Sequence, residues 1–190
     1  MDLALPTSEK AVALLPDSAI AHLNLGDLLL AKAESQTDAA AARPIFERAV
    51  QEYDNVLKLQ PSSIEAVINK AWVMHSSLGQ SREALELVQS LAARANPVAL
   101  PGEFYDTMGA IQESVGRSSD AENSYLEGLK RSPDLAVLHY HIGKLIAADK
   151  TRGDRARDHL SKAVAAKDQL SPAMADEAVR LVKQIESEVR

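Results

Sequence analysis

Five histidines are the residues of this chain best suited to metal binding or proton transfer: His22, His75, His139, His141 and His159. A metal site needs imidazoles or carboxylates spaced to converge. His139 and His141 stand two residues apart, and on a helix that spacing points them in different directions. His22 and His139 fall at equivalent places in a repeating pattern, which favours packing between helices, and His159 lies in a charged stretch that reads as solvated. No metal ligand set, and no cofactor, is expected from these spacings. Cysteine is absent, which excludes disulfides, thiolate zinc sites and cysteine nucleophiles. The chain contains no GxSxG, Walker loop, HExxH or GxGxxG. Its many carboxylates fall on faces that read as exposed, so no catalytic residue is assigned and the chain is not read as an enzyme.

The elements that carry these side chains read as helices throughout. Of 190 residues, 46% are hydrophobic and only 4% aromatic, a bias toward helices packed through small side chains. The net charge is −6, and it is uneven. Residues 1–132 hold 11 Lys/Arg against 18 Asp/Glu, and residues 133–190 hold 10 against 9. No basic stripe exists to follow a phosphate backbone, so nucleic acid is not an expected partner. No apolar run reaches membrane-spanning length. The N-terminus lacks the basic start and apolar core of a secretion signal.

Four prolines punctuate the chain: Pro16, Pro61, Pro97 and Pro133. Each follows an apolar helical stretch, and proline commonly sits just past a helix end. Between them lie a helix, a break often marked by glycine, and a second helix. Recurring helix–turn–helix units are the mark of helical solenoids. The first helices carry a small residue after a large one, at Leu25–Gly26, Met108–Gly109 and Ile142–Gly143, with Lys70–Ala71 the weaker example. The second helices carry a small residue, then a larger one, then a third that is apolar or small. These are Ala49, Tyr53 and Val56, then Ala84, Val88 and Leu91, then Ala121, Tyr125 and Gly128, then Ala156, Leu160 and Ala163. Ser62 with Glu65, and Ser119 with Glu122, suit helix-start capping boxes.

This arrangement resembles the tetratricopeptide repeat (TPR). The resemblance implies an all-α, TPR-type α-α superhelix, or solenoid, right-handed, of nine to ten helices and ending in a capping helix. A single array over 1–190 is expected. Residues 1–16 read as the trailing helix of an incomplete repeat. The repeats follow at 19–61 (with an insertion near 33–43 that ends in a loop at Pro44), 64–97, 102–133 and 136–168. A capping helix follows at 171–190.

In TPR proteins the first helices line a concave groove, and the resemblance places Asn24, Asp27, Glu65, Asn69, Trp72, His75, Glu103, Asp106, Thr107, Glu113, Tyr140, His141 and Lys144 on it, beside Leu23 and Ser76. Asn24 and Asn69 could pair with an extended peptide backbone through their amides. Trp72, the only tryptophan, is either a groove anchor or, if Lys70 signals a shifted register, a core residue. The groove's acids favour a basic or neutral protein or peptide over an acidic one. The stretch 104–164 resembles the last repeats of bacterial TPR lipoproteins from exosortase and exopolysaccharide secretion loci. That implies a non-catalytic scaffold that tethers partners, periplasmic if cut from a secreted lipoprotein and cytoplasmic as written. A regulatory domain from a larger enzyme, such as a TPR-fused transferase, is the alternative. Leu14 and Leu15 near the N-terminus lack a covering helix, and a weak homodimer through that end, closed by a two-fold axis, is expected, with fraying of the helix as the alternative.

Overall fold

The computed structural model describes residues 4–96 and 99–188. Among these there are ten α-helices and no strand, which is the all-α class anticipated from the repeat. The helices are α1 (Ala4–Leu14), α2 (Ala19–Glu34), α3 (Ala39–Leu59), α4 (Ile64–Ser76), α5 (Ser81–Arg94), α6 (Gly102–Ser114), α7 (Ser118–Arg131), α8 (Ala136–Ile146), α9 (Gly153–Ala165) and α10 (Pro172–Glu188). Pro97 lies outside the described residues. The chain forms two compact units, residues 1–99 and 100–190.

In the first unit α1 packs on α2, α2 on α3, α3 on α4 and α4 on α5. In the second, α6 packs on α7, α7 on α8, α8 on α9 and α9 on α10. Side-chain size explains the pairing. A β-carbon added at Gly26 would come within 2.7 Å of the Tyr53 ring. The same construction brings Gly109 to 2.4 Å from the Tyr125 ring and Gly143 to 2.6 Å from Leu160. The glycine of each first helix is therefore a hole for the large side chain of its second helix. Where alanine stands instead, at Ala71, the matching residue is the smaller Val88, and both are fully buried. The small residues Ala49, Ala84, Ala121 and Ala156 are likewise 0% exposed, so the helices of a pair meet almost backbone to backbone.

Lys70 takes a place that is apolar in the other first helices. The register is kept because its ammonium donates to Asp54 on α3 at 2.5 Å. His22 and His139 show a repeated packing device. Each ring donates its Nε2–H to a proline carbonyl six residues earlier, Pro16 at 2.9 Å and Pro133 at 3.0 Å. Both histidines thus tie a first helix to the turn before it.

Several expectations need correction. The segment after α2 is a short turn at residues 35–38, not a loop reaching Pro44. Asp38 caps α3 by accepting from the Ala40 N–H at 2.9 Å, and Pro44 lies inside that helix. The favourable cap and the apolar face of α3 outweigh the hydrogen bond lost at the proline. Ser63, not Ser62, caps α4. The helix α7 starts at Ser118 with no side-chain cap, so Ser119 is not its N-cap. Phe104 is the fully buried aromatic of α6, and Tyr105 beside it is half-buried.

Candidate functional site

Within the first unit, α2 and α4 bring together the groove candidates Asp27, Asn69 and Trp72. The Asn69 amide donates to Asp27 Oδ1 at 2.9 Å, and the buried Tyr53 hydroxyl donates to the same oxygen at 2.8 Å. Burial, reinforced by the Asp27 charge, raises the Tyr53 pKa, so the phenol stays protonated as a donor. The Asn69 donor is thus used within the fold, and Asn24 is exposed on α2. Glu65, Asn69, Trp72 and Ser76 form one stripe at helical spacing along α4. Glu65 and Ser76 are exposed and Trp72 is half-buried. The indole meets the His75 ring edge-on, with centroids 6.0 Å apart. Burial lowers the His75 pKa, which keeps the ring neutral at neutral pH.

In the second unit, α6 and α8 hold the remaining candidates. Glu103 is exposed, and Glu113 accepts from the Tyr125 hydroxyl at 3.2 Å. His141 stacks on the Tyr125 ring with centroids 5.2 Å apart and an interplanar angle of 9°. Burial, with a smaller push from Lys144, lowers the His141 pKa to about 4. Asp106 faces His141 at 3.8 Å, too far for a hydrogen bond. Its Oδ1 is buried without a hydrogen-bond partner. Burial first, and the Glu103 charge second, push the Asp106 pKa up to about 7. Near neutral pH this carboxyl is only partly ionised, so the face is less acidic than a count of its residues suggests.

Three sequence expectations fail here for packing reasons. Thr107 is buried, as is Tyr140, so neither is open groove surface. Tyr140 is covered because its hydroxyl donates to Glu177 of α10 at 2.6 Å. Lys144 pairs with the same carboxylate at 3.4 Å. Hydrogen bonding from Tyr140 holds the Glu177 pKa below its usual value. Nothing in the sequence pattern singles out Glu177, because its role depends on its reach from a distant helix. His159 is half-buried instead of solvated, with its Nδ1 2.9 Å from that of His139. Burial and the neighbouring His139 lower its pKa, so a neutral His159 shares one proton with its partner ring. Among the described residues no three histidine or acidic side chains converge as metal ligands. Among them, too, no helix is long and apolar enough to cross a membrane.

No family model and no curated protein matches the chain. Solved structures do, and they are TPR proteins. The thermophilic TPR protein TTC0263 of Thermus thermophilus is 17% identical, over 75% of this chain and 71% of its own, with a TM-score of 0.64. MamA of Desulfovibrio magneticus RS-1, from residue 41 to its end, is 20% identical, over 88% and 86%, with a TM-score of 0.63. YrrB, described as a TPR protein with an unusual peptide-binding site, is 16% identical, over 95% and 92%, with a TM-score of 0.62. The fold is therefore the TPR fold. At these identities the likeness establishes the architecture alone.

Proposed function

We propose that the chain is a non-catalytic scaffold that holds a protein or an extended peptide against its first helices. The carrying observation is the α4 stripe, where a half-exposed Trp72 is flanked by Asn69, His75 and exposed Glu65. A rigid aromatic beside fixed polar groups is the usual make-up of a binding anchor. The peptide-binding description of YrrB, a fold neighbour, supports the same reading. The partner is basic or neutral, because Glu65 is exposed on the α4 stripe and the Asp27 carboxylate lies against Asn69 of the same stripe. The setting is a bacterial export or exopolysaccharide assembly, the process to which the resemblance of residues 104–164 points. The N-terminal end adds self-association. Leu14 and Leu15 are 78% and 59% exposed, and Ile20 nearby is 70% exposed. Each large apolar side chain left in water forgoes roughly 1.5–3 kcal/mol of burial.

Trp72→Ala is expected to weaken binding of the partner retained by the intact chain by at least about tenfold, with circular dichroism unchanged. Asn69→Ala should weaken it too, at some cost in stability, because Asp27 then loses a donor. Titration calorimetry of both variants checks this. Unchanged affinity in a folded Trp72→Ala protein would reject the α4 stripe as the anchor.

A further inference from the structure

Two carboxyls of this chain have similar surroundings, and one lacks what the other has. In the first unit Asp27 lies against the buried Tyr53, and the next first helix supplies Asn69. The Tyr53 hydroxyl and the Asn69 amide both donate to one oxygen of Asp27, at 2.8 Å and 2.9 Å. In the second unit Asp106 lies near Tyr125 and faces His141 of the next first helix. Neither serves it. The Tyr125 hydroxyl donates to Glu113 instead. The His141 ring stands 3.8 Å away, beyond hydrogen-bond reach, and its stack on Tyr125 keeps it from closing the gap. Asp106 Oδ1 is thus sealed from solvent with no hydrogen-bond partner among the described residues. A buried carboxyl without a donor is costly.

Charge is unbalanced there too. Helix α6 contains no lysine or arginine. The neighbouring charge that acts on Asp106 is Glu103, one turn earlier and of the same sign. Lys144 on α8 is held by Glu177 and Tyr140. The carboxyl therefore has negative charge beside it, but no donor and no cation. Glu103, Asp106, Ala110 and Glu113 follow one another at helical spacing on one face of α6. Ala110 stands one residue after Gly109, as Trp72 stands one after Ala71 on α4. A small, half-buried residue in that place leaves room beside Asp106 for a group from outside. The Asp106 side chain keeps a 17% exposure through which such a group reaches it.

We infer that Asp106, with Glu103 and Glu113 on the same face, takes the cationic end of a lysine or arginine side chain of a bound partner. The ammonium or guanidinium supplies both things this carboxyl lacks, an N–H donor and a positive charge. This inference rests on the reading of the chain as a scaffold for a basic or neutral partner, and it adds a contact on α6 to the anchor on α4. Binding exchanges a proton. Burial, helped by Glu103, lets Asp106 keep its proton up to about pH 7. The incoming cation takes the place of that proton, so below this pH binding releases one proton to solvent and becomes weaker. The groups facing Asp106 from the helices packed on α6 hold their state between pH 5.5 and 8. His141 on α8 is neutral above about pH 4, and burial keeps the Tyr125 phenol on α7 protonated. Behind them Lys144 stays cationic through its bonds to Tyr140 and Glu177.

The probes are n-butylammonium and ethylguanidinium, the side-chain ends of lysine and arginine, added as chlorides at constant ionic strength to the 190-residue chain. Carbon-detected NMR follows the Asp106 carboxyl. Its titration midpoint, about 7 without probe, is expected to fall by about one to three on the pH scale with saturating probe. From pH 8 to pH 5.5 probe affinity should drop about thirtyfold, as a midpoint of about 7 requires. Asp106→Asn should weaken both probes about ten- to hundredfold at pH 8, and circular dichroism checks that it folds. The wild-type midpoint tests the site even if this variant does not. The tighter of the two probes tells lysine from arginine. Trp72→Ala should leave probe binding unchanged. A midpoint that neither probe moves, or probe binding that survives Asp106→Asn, overturns the site and leaves the α4 anchor standing. A midpoint moved further by magnesium chloride than by either probe assigns the carboxyls to a metal ion and overturns the proposal as well. Probes that bind as expected, in a chain whose partner is held equally well after Trp72→Ala, keep the Asp106 site and reject the α4 anchor.

Discussion

Gly109→Ala is expected to destabilise residues 100–190 by about 1–3 kcal/mol, the usual cost of forcing extra volume into a packed core. The sign is informative, because alanine at an ordinary helical glycine stabilises by roughly 0.5–1 kcal/mol. Here the new β-carbon would lie 2.4 Å and 2.6 Å from two atoms of the Tyr125 ring. That ring is fully buried and stacked on His141, so it has little room to swing away. The chain contains its own solution to the same problem, Ala71 with Val88. Tyr125→Val should therefore be costly in the wild type but much less so in the Gly109→Ala background. A double-mutant cycle by urea unfolding is expected to give a coupling of about 1–3 kcal/mol. Additive effects would show that the glycine is not there to admit the ring.

Asp106→Asn is expected to stabilise the same unit at pH 8 and to leave it unchanged near pH 4. The Asp106 pKa in the fold, about 7, is raised above the unfolded value near 3.8. Its contribution is full below pH 4 and lost as pH rises to 7, with a ceiling of about 4 kcal/mol from the shift. Solvent reaching the partly exposed side chain reduces this, and about 2 kcal/mol is the expected gain. His141 acts in the opposite sense. Its pKa is depressed from 6.5 to about 4, so its contribution is present above pH 6.5 and lost as pH falls toward 4. Between pH 4 and 6.5 the Asp106 slope offsets that of His141 in part, while His159, its pKa also lowered by burial, adds to the His141 side. Asp106→Asn removes the offset, so stability of the variant should climb more steeply with pH across that window. Thermal melts at several pH values check this. A variant profile parallel to the wild type would mean that Asp106 titrates normally.

The parts of the fold readable in the sequence are those set by side-chain size at fixed spacing. Gly109 with Tyr125 and Gly143 with Leu160 can be paired because a hole and a knob recur at nearly the same separation, 16 and 17 residues, and Gly26 with Tyr53 follows once the insertion between their helices is allowed for. Helix starts are less readable. Pro44 reads as a breaker, yet the cap at Asp38 lets α3 run through it, and Ser62 and Ser63 are equivalent until the turn geometry chooses one. The surroundings of a candidate residue are readable where they are set by its own helix, as for Trp72, which meets His75 of the same helix edge-on. They are not readable where the outcome depends on a distant helix. Tyr140 is buried by α10, His159 by its contact with His139, and Asp106 is kept partly protonated by its surroundings. Lys70 suggests a slipped register, and only the position of Asp54 shows why it is tolerated.

Trp72 has one more consequence. It is the sole tryptophan of the chain and lies in the first unit, so the second unit has no indole at all. Tryptophan emission, excited apart from tyrosine, therefore watches residues 1–99, whereas far-ultraviolet dichroism watches all ten helices. Overlaying the two unfolding curves compares one unit with the whole without any label. Coincident curves mean a single cooperative transition, and separated curves mean that the two units melt independently.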